Sequence, residues 1–242
     1  MKAALVTGVG RDNIGFGAAR RFVERGLPVV AVDVRPPAAE VAERLAAGAA
    51  APVHWLAADV ADTAAIETMA AEAFALVPGL DCLVNAAGIA DPTKPLEITP
   101  ERWDRLMDIN LRGTFFACQA FARRLVAEGR PGGIVNLASM AARTGGRSNG
   151  LHYAASKAGV VSITLGLGRA LGEHAIRVNA VAPGIIDTVM TRDVVPGSIH
   201  RAKEAALGRW GTIWEVADVI LFLLSPESGY VTGTTVDVTG GA

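Results

Sequence analysis

Tyr153 and Lys157 stand in the run Tyr153-Ala154-Ala155-Ser156-Lys157, three residues apart in between, and Ser139 lies fourteen residues upstream of the tyrosine. On a helix, residues four apart share one face. A free tyrosine has a pKa of about 10 and keeps its proton at neutral pH. A lysine ammonium a few ångströms away favours the phenolate and makes that proton available for acid–base work. A serine hydroxyl beside them can hydrogen-bond the oxygen of an alcohol or carbonyl. The three side chains together can move a proton on or off a carbon-bound oxygen, which is the work of an enzyme.

Such a set needs a scaffold, and the hydrophobic pattern supplies one. Short β-branched runs at 2–6, 29–33, 53–56, 82–85, 134–136, 177–181 and 235–238 predict strands. Most are continuously apolar, as in a parallel sheet covered on both faces. Helices are predicted between them at 17–25, 38–47, 63–75, 101–110, 112–128, 153–172, 198–207 and 215–224. Thr99-Pro100 and Thr212…Glu215 are helix-start signals. Repeated β–α units of this kind give an α/β fold, a doubly wound parallel sheet of about seven strands, Rossmann-like, with helices on both faces. No linker or charge run divides the 242 residues, so 1–242 reads as a single domain.

The first β–α turn carries Thr7-Gly8-Val9-Gly10, and Gly15-Phe16-Gly17 opens the first helix. Glycines there let the backbone approach a pyrophosphate, whose charge the helix N-terminus attracts. The spacing G-x-G-x-x-G is not met, because Asn13 occupies the third position. Asn13 and Ile14 are therefore expected to make contacts that a usual loop makes differently. Asp33 ends the second strand, where a carboxylate accepts from both ribose hydroxyls and repels a 2′-phosphate. NAD is the expected cofactor and NADP the second choice, with Arg11 and Arg35 the two cations that could receive the extra phosphate. Asp59-Val60 ends the third strand and Asn85-Ala86-Ala87-Gly88 the fourth, both where ligands of such sheets bind.

The rest of the composition narrows the function. A net charge of −1 gives no basic footprint for nucleic acid. No apolar run reaches the ~20 residues that span a bilayer, and the N-terminal apolar run is too short for a signal peptide. Cys82 and Cys118 fit no zinc spacing and are read as reduced thiols in a cytoplasmic protein. His54, His152, His174 and His200 show no metal-ligand spacing, so no metal is expected. His152, beside Tyr153, is the one histidine placed to line a substrate pocket. Four glycines at 159, 166, 168 and 172 burden the predicted helix 153–172 by about 0.5–1 kcal/mol each. Close approach of another backbone is expected to offset that cost, in a helix-to-helix contact between subunits first and in packing within the subunit second.

These motifs resemble the short-chain dehydrogenase/reductase family over essentially the whole chain. The matching pieces are Thr7–Gly17, Asp59-Val60, Asn85–Gly88, Asn110, Ser139, Tyr153…Lys157, Arg177–Gly184, Thr188 and the terminal Thr232-Gly233…Asp237-Val238…Gly240-Gly241. The resemblance implies hydride transfer between a nicotinamide cofactor and a secondary alcohol or ketone, in a homotetramer or homodimer. It makes Tyr153 the general acid/base, Lys157 its partner and the holder of the nicotinamide ribose, and Ser139 the group that orients the substrate oxygen. Asn110 would anchor a water chain through Lys157. Pro183 and Gly184 belong to the cofactor stretch, in which the Ile186 backbone and the Thr188 side chain would grip the carboxamide.

One departure stands out. Six residues, 9–14, separate Gly8 from Gly15, where the usual family loop has three between its first two glycines. Long loops occur in the enoyl-thioester reductase branch, but that branch resembles a pattern with six residues between tyrosine and lysine. The three found here select the carbonyl-reducing branch. Two alternatives stay open: an NADPH-dependent 3-oxoacyl-thioester (acyl carrier protein) reductase, and a nucleotide-sensing regulator without turnover. Residues 189–209, with a turn signal at Pro196-Gly197, are expected to form a substrate lid. Arg143 and Arg147 read as solvated loop arginines or as contacts for a substrate anion.

Overall fold

The computed structural model describes residues 1–146, 150–194 and 205–242. Its sheet has seven strands, β1 (Ala4–Thr7), β2 (Val29–Asp33), β3 (Val53–Ala57), β4 (Cys82–Asn85), β5 (Gly132–Leu137), β6 (Ile176–Pro183) and β7 (Thr235–Val238). All pair in parallel in the order β3-β2-β1-β4-β5-β6-β7. The central strands are buried except at Gly132 and Arg177, because helices cover both faces. Helices α1 (Ile14–Glu24), α2 (Ala39–Ala46), α3 (Thr63–Leu76), α4 (Pro100–Met107) and α5 (Gly113–Ala127) come first. They are followed by α6 (Ala141–Thr144), α7 (Leu151–Ala170), α8 (Val189–Val194) and α9 (Ile213–Leu224). One face of the sheet is packed by Ile66, Phe74, Phe121 and Leu125 of α3 and α5, the other by Phe16, Phe22, Ile220 and Leu221 of α1 and α9.

Local chemistry explains most element ends. Asn13 accepts from the Phe16 N–H at 2.9 Å and caps α1, so the helix starts at Ile14 rather than at residue 17. Thr99 caps α4 as expected, and Thr212 with Glu215 forms the expected capping box of α9. The predicted helices 101–110 and 112–128 are one continuous rod, because a π-helical turn at Asp108–Arg112 joins α4 to α5. Helix α7 begins two residues before the predicted start, after Gly150 at φ +90°. The predicted helix 198–207 lies mostly outside the described residues, and 205–207 form bends and turns. Neither α6 nor α8 was anticipated, each being too short to show a period.

Two of the four glycines have an internal cause, and Gly172 lies beyond the end of α7. A Cβ on Gly159 would come within 2.7 Å of the Leu111 side chain, and one on Gly168 within 2.6 Å of the Gly233 backbone. These two make room for the neighbouring π turn and the chain entering β7, so for them packing within the subunit accounts for the glycine. Gly166 and Gly172 meet nothing within 4 Å.

Candidate active site

The strand register sets Thr7, Asp33, Asn85, Leu137 and Pro183 along one edge, the carboxyl ends of the strands. The strand order reverses between β1 and β4, and the crevice at such a switch point is where open α/β sheets bind ligands. A cavity of about 960 Å³ opens there. Its lining runs from Asp33 and Asp59 past Gly8, Asn13 and Ile14 to Ser139, Tyr153 and Lys157, then on to Pro183, Gly184, Ile186 and Thr188.

At the Asp33 end the glycine loop is held tightly. Gly8 has φ +73°, and a Cβ on it would sit 2.7 Å from the backbone of Ala87, so the loop lies against the chain leaving β4. The Thr7 hydroxyl oxygen accepts from the N–H groups of Ala86 and Ala87 at 3.1 and 3.2 Å and fixes the same contact. Gly10 donates its N–H to Asp33 Oδ2 at 2.8 Å, while Asp33 Oδ1 accepts from Val34. The lengthened loop therefore folds back onto the acid at the end of β2. Asp59 Oδ1 accepts from Ala61, and Val60 packs its carbonyl where a Cβ on Gly113 would stand. The long loop, the α1 N-terminus and Asp33 together line one end of the cavity, an arrangement that suits the close approach of a dinucleotide.

Three expected contact residues do not line the cavity. Gly15 is buried against the Gly8 carbonyl, where a Cβ would come within 2.4 Å, so it closes the turn instead of facing a ligand. Asn85 donates to Asn136 Oδ1 at 2.9 Å and to Cys118 Sγ at 3.2 Å, inside the sheet–helix layer. A buried amide must satisfy its donors, and these partners turn it away from the crevice. Asn110 is fully buried in the π turn. Its Oδ1 accepts from the Ile89 N–H, and its Nδ2 donates to Ile89 O and Ser156 Oγ.

At the other end the predicted set converges. Tyr153 and Lys157 are buried on α7, with the ammonium 5.8 Å from the phenol ring centroid. Lys157 Nζ donates to Leu137 O at 2.7 Å, and burial lowers its pKa from 10.5 to about 8. Gly88 is the place where Asn110 Oδ1 and Lys157 Nζ approach each other: a Cβ there would lie 3.2 and 3.6 Å from them. The Ser139 oxygen accepts from the Ala141 N–H at 3.1 Å, leaving its hydroxyl proton to be donated elsewhere. Gly184 donates to Val238 O, and Thr188 Oγ1 accepts from the Thr191 N–H at the start of α8.

Other candidates are sorted by their partners. Arg143 lines the cavity but ion-pairs with Asp237, and Arg147 lies outside the described residues. His152 does not line the cavity: it is fully buried, stacked on Trp103, with Nε2 3.4 Å from Asp91. His200 and Pro196-Gly197 also lie outside the described residues. Of the expected lid, α8 is described, and Val189, Met190 and Thr191 border the cavity. Arg105 on α4 borders it too, a residue whose position in a polar helix gave the sequence no signal. Among the described residues no group of three His, Cys, Asp or Glu side chains is placed to hold a metal, and no helix is long and apolar enough to cross a membrane.

A seven-stranded parallel sheet with a glycine-rich first turn and a Ser/Tyr/Lys set at its switch point defines a nucleotide-dependent oxidoreductase. The family profile described as "Enoyl-(Acyl carrier protein) reductase" matches residues 8–242. The chain is 38% identical to human (3R)-3-hydroxyacyl-CoA dehydrogenase, covering 98% of this chain and 94% of that one. It is 37% identical to a sorbitol dehydrogenase of Cereibacter sphaeroides, covering 99% and 96%. Among solved structures, a 3-oxoacyl-[acyl-carrier protein] reductase with bound NAD from Brucella melitensis superposes with a TM-score of 0.88 at 37% identity, covering 99% of this chain and 90% of that one. The protein belongs to the short-chain dehydrogenase/reductase family.

Proposed function

We propose that the protein interconverts a secondary alcohol and a ketone with NAD as the hydride carrier. The observation that carries this reading is that Ser139, Tyr153 and Lys157 line the same cavity as Gly8 and Asp33. Bound there, the nicotinamide supplies or accepts the hydride. The chain's own groups do the rest. Tyr153 gives its proton to the carbonyl oxygen in reduction and takes it back in oxidation. Ser139, whose oxygen is already occupied by the Ala141 N–H, donates its proton to that same oxygen and orients it. The ammonium of Lys157 favours the tyrosine phenolate. Asn110 acts at one remove, by fixing Ile89 beside the space that Lys157 Nζ faces. The Ile186 backbone and Thr188 are assigned to the carboxamide.

Asp33 supports NAD over NADP. Its carboxylate faces the cavity end that would hold the adenosine ribose, where a 2′-phosphate adds like-charge repulsion. Steady-state rates with both cofactors test this: a clear NADPH preference refutes it. Tyr153→Phe is expected to abolish turnover while cofactor still binds by fluorescence titration, and retained turnover refutes the mechanism.

A second reading, reduction of a 3-oxoacyl thioester, is favoured by the names of two relatives, a hydroxyacyl-CoA dehydrogenase and an oxoacyl carrier-protein reductase. It uses the same acid–base groups on a particular ketone. A panel of simple ketones, polyol-derived ketones and 3-oxoacyl thioesters, followed at 340 nm, separates the two.

A further inference from the structure

The charges around the cavity are unevenly matched. Asp33 and Asp59 sit at the ends of β2 and β3, and the third acidic side chain in the wall, Asp237, is already paired with Arg143. Arg105 lies on the wall beside the reacting end: the next residue, Leu106, is buried in one apolar cluster with Ala141, Tyr153 and Ala154. Among the described residues the Arg105 side chain makes no ion pair and no hydrogen bond.

The arginines before and after it on the same rod are engaged. Arg102, one turn earlier on α4, is held by Asp91 and Thr93, and Arg112 in the π turn by Asp108. Glu101 stands four residues before Arg105, the order that favours an ion pair on a helix. Glu101 is instead engaged at the helix start with Thr99, whose hydrogen bond lowers its pKa. Glu101 and Asp108, four residues before and three after Arg105, are thus committed elsewhere, and the exposed guanidinium stands at the cavity rim. A guanidinium with a planar fork of donors recognises carboxylate or phosphate oxygens.

We propose that Arg105 is a specificity-determining residue that binds an anionic group on the substrate, a carboxylate or a phosphate ester carried beyond the reacting carbonyl. This rests on the reading of the cavity as a ketone/alcohol site. It distinguishes charged substrates from neutral ones of the same ketone chemistry, such as simple ketones or sugars.

The test compares wild type, Arg105→Met and Arg105→Lys with NADH on three substrates. These are acetoacetate, with a free carboxylate; acetoacetyl-CoA, with phosphates; and the acetoacetyl thioester of N-acetylcysteamine, with neither. For one of the two charged substrates, the ratio of its kcat/KM to that of the neutral thioester is expected to fall by about tenfold or more in Arg105→Met. Arg105→Lys should recover part of the loss. Whichever charged substrate shows the fall identifies carboxylate or phosphate as the recognised group. Ratios unchanged within about twofold for both overturn the proposal. If none of the three is reduced, the wider ketone panel decides the ketone reading, and tryptophan-fluorescence titration of acetoacetate and of coenzyme A into the NAD-loaded protein decides the anion site. Weaker binding of either anion to Arg105→Met supports the anion site, and equal binding of both refutes it.

Discussion

The Lys157 ammonium donates to the Leu137 carbonyl at 2.7 Å, tying the buried face of α7 to the carboxyl end of β5. Burial with one neutral acceptor is the reason its pKa falls from 10.5 to about 8. Between those values the unfolded chain binds the proton and the folded chain does not, so stability rises with pH there. The destabilising effect of the buried charge is full below pH 8 and fades as pH approaches 10.5. In urea unfolding, the stability of wild type relative to Lys157→Met should therefore improve by up to about 3 kcal/mol across that window. A pH-independent difference would show that the ammonium is not desolvated.

Asp33 accepts from Gly10 on one oxygen and Val34 on the other. Asp33→Ser removes the charge but keeps a hydroxyl acceptor for the loop. Its kcat/KM with NADH is expected to fall about tenfold or more, and the NADPH/NADH ratio to rise. An unchanged ratio would sink the assignment of Asp33 to cofactor choice.

Arg177 is half-buried and has no carboxylate partner among the described residues. It donates to the carbonyls of Leu223, Ser225 and Val231 and to the Ser228 hydroxyl, closing the end of α9 onto β6. Arg177→Met leaves these acceptors without their donor and should cost about 3 kcal/mol in urea unfolding. A loss below about 0.5 kcal/mol would mean that water replaces the guanidinium without cost.

Gly166 and Gly168 make opposite predictions on one helix. Gly168→Ala drives a Cβ into Gly233 and should lower the melting temperature by several degrees. Gly166→Ala meets open space and should stabilise the isolated subunit by about 0.5–1 kcal/mol. If this exposed part of α7 packs against a second copy, as proposed for a tetramer or dimer, the same change should shift the species seen by light scattering to smaller mass. An unchanged mass removes Gly166 from the interface.

Cys118 is fully buried beside Asn85 and Asn136, and burial pushes its thiol up to about 12. Under native conditions at pH 8 it should react with a thiol-specific disulfide reagent only at the rate of unfolding. Prompt labelling would contradict its burial.

The reacting groups were legible because their spacing is local: three intervening residues on a helix put Tyr153 and Lys157 on one face whatever surrounds them. The strands were legible because continuous apolar runs have few other uses. Asn85 and Gly15, expected at the cavity, do not line it, for the opposite reason. Their backbone positions match a binding edge, but the direction of a buried amide or the neighbour of a missing Cβ depends on segments far away in sequence. Arg105 gave no signal at all, since an arginine in a polar helix looks the same whether it meets solvent or a cavity.

By itself the sequence determined the parallel sheet and the pairing of Tyr153 with Lys157 on one helix face, both consequences of periodicity and short-range spacing. Only the tertiary structure decided which polar groups were already spoken for. It bound Asp33 to Gly10, Arg143 to Asp237 and Asn110 to Ile89, and it left Arg105 at the rim without a partner among the described residues. Hydrogen bonds and ion pairs are settled by atoms within about 4 Å of each other, and in this fold those atoms come from residues as far apart as 21 and 218.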